Sequence, residues 1–244
     1  NNNNWTGIEF NNANMDNAAL DAHWGAEMVY NYFNTVHDRD SWNGAGGHLL
    51  SYVHTDLVSF GYPNNINAFW DGQRMTYGDG DGGFCFEPLT SLDVTHEIAH
   101  GVNSSSARMR YQGESGALNE SLSDIWAACV EQWAAPEKDT WLLGEDFTGC
   151  TVALRSMNNP SMLSYTLPDG TTGTYPDTFN GIGYYIGTED AGGVHINSSV
   201  SNFWFFLLVN GGNGTNDLGN CYSVAGIGID EAAQIVYRSE TVVL

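Results

Sequence analysis

Basic residues are scarce. Seven Lys and Arg stand against 29 Asp and Glu, a formal net charge of −22 over 244 residues. That balance argues against nucleic acid as a partner, because phosphate backbones are held by clustered Lys and Arg. So few cations also leave few internal salt bridges, so carboxylate repulsion needs salt or bound cations to offset it. The surplus of acids reads as a solvated surface, as calcium sites built from carboxylates, or as both. Long apolar runs are absent: the longest candidate, residues 203–209, is too short to span a bilayer, so no membrane partner is expected. The first residues carry neither a basic segment nor an apolar one, so any leader or pro-segment is expected to have been removed. Four cysteines occur, Cys85, Cys129, Cys150 and Cys221, with no C-x-x-C pair, which argues against a cysteine zinc site. Two disulfides with three possible connectivities, or buried free thiols, both stay open.

What is present is enough apolar material for a packed core, 42% of residues. Residues 16–38 predict a helix, with Asp16 or Asn17 suited to the N-cap and Ala19, Ala22, Ala26, Val29, Tyr30 and Phe33 at helical spacing. Residues 48–54 and 66–77 alternate as strands do, and Asn-Gly and Gly-Asp clusters at 43–47 and 78–83 mark turns. Helices are expected over 91–105, 115–132, 193–209 and 230–239, the third stopped by Gly211-Gly212. The stretch 135–190, rich in Gly, Pro, Thr and Asn, reads as loop with short helices. The front is mixed α/β and the back mainly helical. This predicts an α+β chain of two lobes, 1–105 and 106–244.

The decisive string is His96-Glu97-Ile98-Ala99-His100. On a helix, positions i and i+4 share a face one turn apart, so both imidazoles can bind one Zn²⁺, while the intervening Glu97 can reach water at that metal. The alternative for this string alone is a polar helix face with two surface histidines. A second string, residues 113–124, supplies the rest. A catalytic zinc takes three protein ligands and keeps one open position; Glu120 can be the third. Asp124, one turn on, can accept the free N–H of one ligating histidine, and Asn119 can serve the other. Read in isolation, Glu120 and Asp124 could be solvated helix acids. In a third string, residues 190–197, Gly192-Gly193 permit close backbone approach. His195 opens the helix and Asp190 is near enough to orient it, an arrangement that suits a donor to a developing oxyanion.

These strings, with Asn67-Ala68-Phe69-Trp70-Asp71-Gly72, residues 77–82 and Ala153-Leu154-Arg155-Ser156-Met157 in the same order, make the chain resemble the thermolysin family of zinc metallopeptidases, from about Asp21 to Arg238. The resemblance implies a two-lobed zincin fold with the active-site helix between the lobes. It implies zinc on His96, His100 and Glu120, Glu97 as general base, and Tyr111 with His195 as donors to the tetrahedral intermediate, His195 being oriented by Asp190. It further implies that Asn67 and Ala68 hold the substrate backbone by strand addition. Arg155 and Leu154 would lie at a pocket for a bulky apolar side chain just after the scissile bond. At least one structural calcium is implied, on Asp93, Glu131, Asp139, the Leu142 carbonyl and Glu145, with Asp93 three residues before His96, one closer than the family's habit. The segment before Asp21 is shorter than the family's β-rich start, and the chain ends where the family continues into further helices, as a trimmed, nicked or compact member would.

The expected function is that of a secreted, monomeric zinc endopeptidase acting on proteins or peptides after loss of a pro-segment. Two rivals are a catalytically dead relative that binds peptides, and a structural zinc protein. A dead relative has no use for Glu97, and a structural site is normally closed by four protein ligands.

Overall fold

The computed structural model describes residues 17–80, 91–144 and 153–244. Helix α1 (Asn17–His37) buries Ala18, Ala22, Val29 and Phe33 along one stripe. It ends where Asp38 takes a left-handed φ of 52° and Arg39 N–H donates back to Phe33 O at 3.0 Å. A three-stranded sheet follows, with β1 (Ser51–Tyr52), β2 (Ala68–Trp70) and β3 (Met75–Tyr77) in the order β1-β3-β2. β3 is central and wholly buried; β1 pairs with it in parallel and β2 antiparallel, so among the described residues β2 has one edge free of strand pairing. The alternation over 66–77 is therefore a hairpin and not one strand. Asp71 Oδ1 accepts from the backbone N–H of Gln73 and Arg74, and Gly72 supplies φ 99°.

The helices α2 (Ser91–Ser105) and α3 (Gly113–Ala134) pack side by side, and α4 (Asp190–Asn210) lies along α3. α3 is the centre of the molecule: Gly116, Ala117 and every residue from Asn119 to Glu131 are buried. A helix surrounded on all sides is normally apolar, yet this run holds Asn119, Glu120, Ser121, Ser123 and Asp124. Buried polar groups are retained only where they find partners, so this row marks where chemistry is to be sought. Close approach of α3 and α4 depends on Gly116, where a Cβ would fall 2.5 Å from Val194 Cγ1. Apolar packing around the row includes Phe33, Ile98, Ile125, Trp126 and Phe205, with Tyr32 and Phe33 of α1 and Trp126 in mutual edge contacts.

The back of the chain departs from the expectation of loop between 135 and 190. Short antiparallel pairs form there: β4 (Leu142–Leu143) with β5 (Arg155–Ser156), and β6 (Ser164–Thr166) with β7 (Thr172–Thr174). The second pair is closed by Pro168-Asp169-Gly170, where Gly170 takes φ 87° and donates to Leu167 O. After α4 comes a third pair, β8 (Gly212–Thr215) with β9 (Cys221–Val224), then α5 (Ile229–Arg238) and a π-helical turn over Ser239–Val243. No described helix is long and apolar enough to cross a membrane. Of the two alternatives for the cysteines, the free-thiol one holds for Cys129 and Cys221, while Cys85 and Cys150 lie outside the described residues. Cys129 sits in the core, where burial pushes its thiol up to about 12.

Candidate active site

A cleft of about 500 Å³ runs between the sheet edge and the helices. Asn67, Ala68 and Phe69 of the β2 segment form one wall, His96, Glu97 and His100 of α2 line it beneath, and Tyr111 and His195 stand on the far side. Glu97 is only 8% exposed although its carboxylate lines the cleft. α2 delivers both histidines because residues four apart stack on one helix face.

His96 Nε2 lies 3.1 Å from His100 Nε2. Glu120 Oε2 is 3.4 Å from His96 Nε2, and Glu120 Oε1 is 3.4 Å from His100 Nε2. The outer nitrogens are committed elsewhere: His96 Nδ1 contacts Asp124 Oδ1 at 2.8 Å, and His100 Nδ1 contacts Asn119 Oδ1 at 2.7 Å and Ser123 Oγ at 3.2 Å. With each Nδ1–H donated outward, both Nε2 atoms present lone pairs toward the same point. The buried Oε2 of Glu120 has no hydrogen-bond partner. With both rings neutral, the two imidazoles and the Glu120 carboxylate present only acceptor atoms to the space between them. Ligand atoms held about 2.0–2.1 Å from one tetrahedral ion lie about 3.3 Å apart; the two Nε2 atoms are 3.1 Å apart and each has one Glu120 oxygen 3.4 Å away, Oε2 beside His96 and Oε1 beside His100, a spacing that suits one ion held between the two rings and the carboxylate. Among the described residues this is the one group of three or more His, Cys, Asp or Glu able to hold a metal.

The electrostatics agree. Burial pulls the His96 pKa down, but Asp124 and Glu120 outweigh it and hold the imidazole at about 10. Burial raises Glu120, yet His195, His96 and His100 drive it well below the ordinary carboxylate range. These are the marks of a site built to hold positive charge.

Asp124 is completely buried and fully engaged. Arg155 donates to it twice, from Nε to Oδ2 at 2.7 Å and from Nη2 to Oδ1 at 2.6 Å. Burial raises the Asp124 pKa, but Arg155 and His96 bring it down to about 2. Arg155 thus sits behind His96 with its guanidinium held by a carboxylate, while neighbouring Leu154 is exposed. Across the cleft, Asp190 accepts from His195 twice, from the backbone N–H at 2.9 Å and at Nδ1 at 2.5 Å. This clamp is made by four consecutive left-handed residues: Asp190, Ala191, Gly192 and Gly193, with φ of 52°, 50°, 92° and 79°. Regular helix begins only at Val194, so the imidazole is presented at a true helix start. His195 is raised in pKa, burial being outweighed by Glu120 and Asp190. Tyr111 Oη donates to Glu120 Oε1 and lies 3.2 Å from His195 Nε2.

Two family models divide the chain. Residues 1–104 match the thermolysin metallopeptidase catalytic domain and residues 107–244 the thermolysin metallopeptidase alpha-helical domain. The chain belongs to the thermolysin family of metallopeptidases. Among relatives in that family, neutral protease B of Bacillus subtilis (strain 168) is 42% identical over 229 residues, which is 92% of this chain and 37% of that protein. Bacillolysin of Brevibacillus brevis is 40% identical over 231 residues, 93% of this chain and 38% of its own. Thermolysin of Alicyclobacillus acidocaldarius is 39% identical over the same length. The chain therefore spans less than two-fifths of these relatives. In structure it is similar to the precursor of protealysin, a metalloproteinase from Serratia proteamaculans. The TM-score is 0.68 and the identity 34%, covering 82% of this chain and 62% of that one. The thermolysin-like fold, a mixed first part and a helical second part, follows from both comparisons.

Of the other residues singled out in the sequence, Glu131 and Asp139 are described, and the side chain of Asp93 and all of Glu145 lie outside the described residues. Glu131 is buried on α3 with Lys138 Nζ 3.8 Å from its Oε1. Asp139 Oδ1 accepts from Trp141 N–H, and Leu142 N–H donates to Asp139 O. Sequence reasoning missed Ser123 behind His100, the pairing of Arg155 with Asp124, and Asn202, which donates to Asp124 Oδ2 at 2.8 Å.

Proposed function

We propose that this chain carries the active site of a zinc-dependent endopeptidase that hydrolyses internal peptide bonds. The observation that carries the reading is the meeting of His96 Nε2, His100 Nε2 and the Glu120 carboxylate, with the nitrogens 3.1 Å apart and one carboxylate oxygen 3.4 Å from each. Those three residues would hold the metal. When bound, zinc supplies Lewis-acid activation of water and of the scissile carbonyl. Glu97 acts as general base: it takes the proton from the attacking water and then delivers it to the leaving amine. His195, oriented by Asp190, and Tyr111 donate to the oxygen on which negative charge develops. The free edge of β2 at Asn67 and Ala68 holds the extended substrate backbone by strand addition. Leu154 and Arg155 border the pocket for the residue after the scissile bond, which favours bulky apolar side chains.

The lobes meet near residue 106. The enzyme works outside the cell as a monomer, released from a pro-segment. At least one calcium ion stabilises the fold through Glu131, Asp139, the Leu142 carbonyl, Asp93 and Glu145; a calcium-dependent rise in Tm would support this, and an unchanged Tm would count against it.

Glu97→Gln is the direct test of the chemistry. It should retain one zinc per chain and lose nearly all peptide cleavage, and chelation of zinc should abolish casein cleavage by the unaltered protein. Activity above a tenth of the unaltered value in Glu97→Gln would remove Glu97 from its role.

A further inference from the structure

Asn202 has no place in the mechanism above, yet it touches the group on which His96 depends. It is fully buried, seven residues and so two helical turns after His195 on α4. Its Nδ2 donates to Asp124 Oδ2 at 2.8 Å, and its Oδ1 accepts from Ser121 Oγ at 2.8 Å. Ser121 is also fully buried and lies on α3 between Glu120 and Asp124. The amide has only one workable orientation, because an ionised carboxylate accepts and never donates. Turning the amide over would put Oδ1 against Asp124 and leave Ser121 without its acceptor.

Asp124 receives four donors in all. Oδ1 takes His96 Nδ1 and Arg155 Nη2; Oδ2 takes Arg155 Nε and Asn202 Nδ2. Arg155 grips both oxygens in a planar fork, which fixes the carboxylate relative to the guanidinium. Asn202 is the donor that ties the carboxylate to a different element. It arrives from α4, whereas His96 arrives from α2 and Arg155 from β5. The same helix α4 presents His195 at its start, 3.5 Å from Glu120 Oε1.

We propose that Asn202, oriented by Ser121, is a positioning residue for the zinc site. It fixes the Asp124 carboxylate, and through it the direction of the His96 Nε2 lone pair, in register with the helix that carries His195. The claim rests on the zinc reading of His96, His100 and Glu120.

The test uses the whole 244-residue chain loaded with zinc or Co²⁺. In Asn202→Ala, zinc affinity against a chromogenic chelator should fall about tenfold or more, in line with other losses behind a metal-bound histidine. The visible bands of the Co²⁺ form should shift, and kcat should fall by a larger factor than KM rises. Ser121→Ala should move the same readouts in the same direction by less. An Asn202→Ala chain that folds, binds zinc within twofold of the unaltered protein and keeps the same Co²⁺ spectrum overturns the proposal. If Asn202→Ala does not fold, Ser121→Ala decides by the same criteria. An unaltered protein that binds no zinc, or binds it equally after His96→Ala, overturns the zinc reading itself and this proposal with it.

Discussion

Three histidines of this molecule, one buried and two part-buried, stand in three different settings. His96 has a buried carboxylate, Asp124, behind it; His100 has a neutral amide and a hydroxyl, Asn119 and Ser123; His37 stacks on Tyr237 with centroids 4.3 Å apart. Burial alone drives an imidazole toward its neutral form, and His37 shows that effect with little to oppose it. Burial, joined by Arg39, takes its pKa down to about 4 against an opposing pull from Gln234. His96 is held in the opposite direction, at about 10, because burial is outweighed by Asp124 and Glu120. The difference teaches that concealment does not make a cation site. Such a site needs fixed acceptors on the far side of each ring and an anion on the near side, and of these three His96 and His100 have both while His37 does not.

Removing the carboxylate should do the most damage. Asp124→Ala leaves Arg155 buried without a partner and His96 Nδ1 without an acceptor. Losing one member of a buried ion pair typically costs about 3–5 kcal/mol, so thermal or denaturant unfolding should show a drop of that order together with loss of zinc. A drop below about 1 kcal/mol would mean that the pair behaves as a surface one. Removing the neutral support should matter less. Asn119→Ala deletes hydrogen bonds to His100 and to Asn103, so stability should fall by about 1–3 kcal/mol and zinc affinity by roughly tenfold, read by chelator competition. An effect on zinc equal to that of Asp124→Ala would erase the distinction between charged and neutral support.

His37 should show its setting only as a pH dependence. Its folded pKa lies below the unfolded value of 6.5, so the neutral ring contributes stability that is fully present above 6.5 and fades as pH falls toward 4. His37→Phe should flatten the acid limb of a stability–pH curve over that window, by at most about 1.4 kcal/mol per pH unit. An unchanged limb would show that His37 is not buried neutral.

Much of this site is legible in the amino-acid sequence alone. The H-E-x-x-H spacing requires a helix, and α2 spans Ser91–Ser105 as the sequence predicts. Glu120 and Asp124 are four apart and so share one face of α3, and Asn119 stands one position before Glu120 on the same buried helix. The β6–β7 hairpin has a signal too, since Pro168-Asp169-Gly170 between Thr-rich flanks marks a turn, but the Gly and Asn content around it outweighs that signal. Other features have no local signature. Arg155 and Asp124 are 31 residues apart and Asn202 is 78 beyond Asp124, and no spacing rule brings such positions together. The one hint for Asn202 is its isolation: a single amide in the run from Val200 to Val209, on the same helical face as His195. Two glycines foreshadow the left-handed turn over 190–193, but nothing in the sequence marks Asp190 and Ala191, which take φ of 52° and 50°.

The central claim is that two histidines of α2 and a glutamate of α3 share one metal ion. Anomalous diffraction at the zinc edge from zinc-loaded crystals tests it most directly. One strong peak is predicted within about 2.0–2.2 Å of His96 Nε2, His100 Nε2 and a Glu120 carboxylate oxygen. A zinc-loaded crystal with its peak elsewhere, or with Glu120 turned away from both imidazoles, would contradict it.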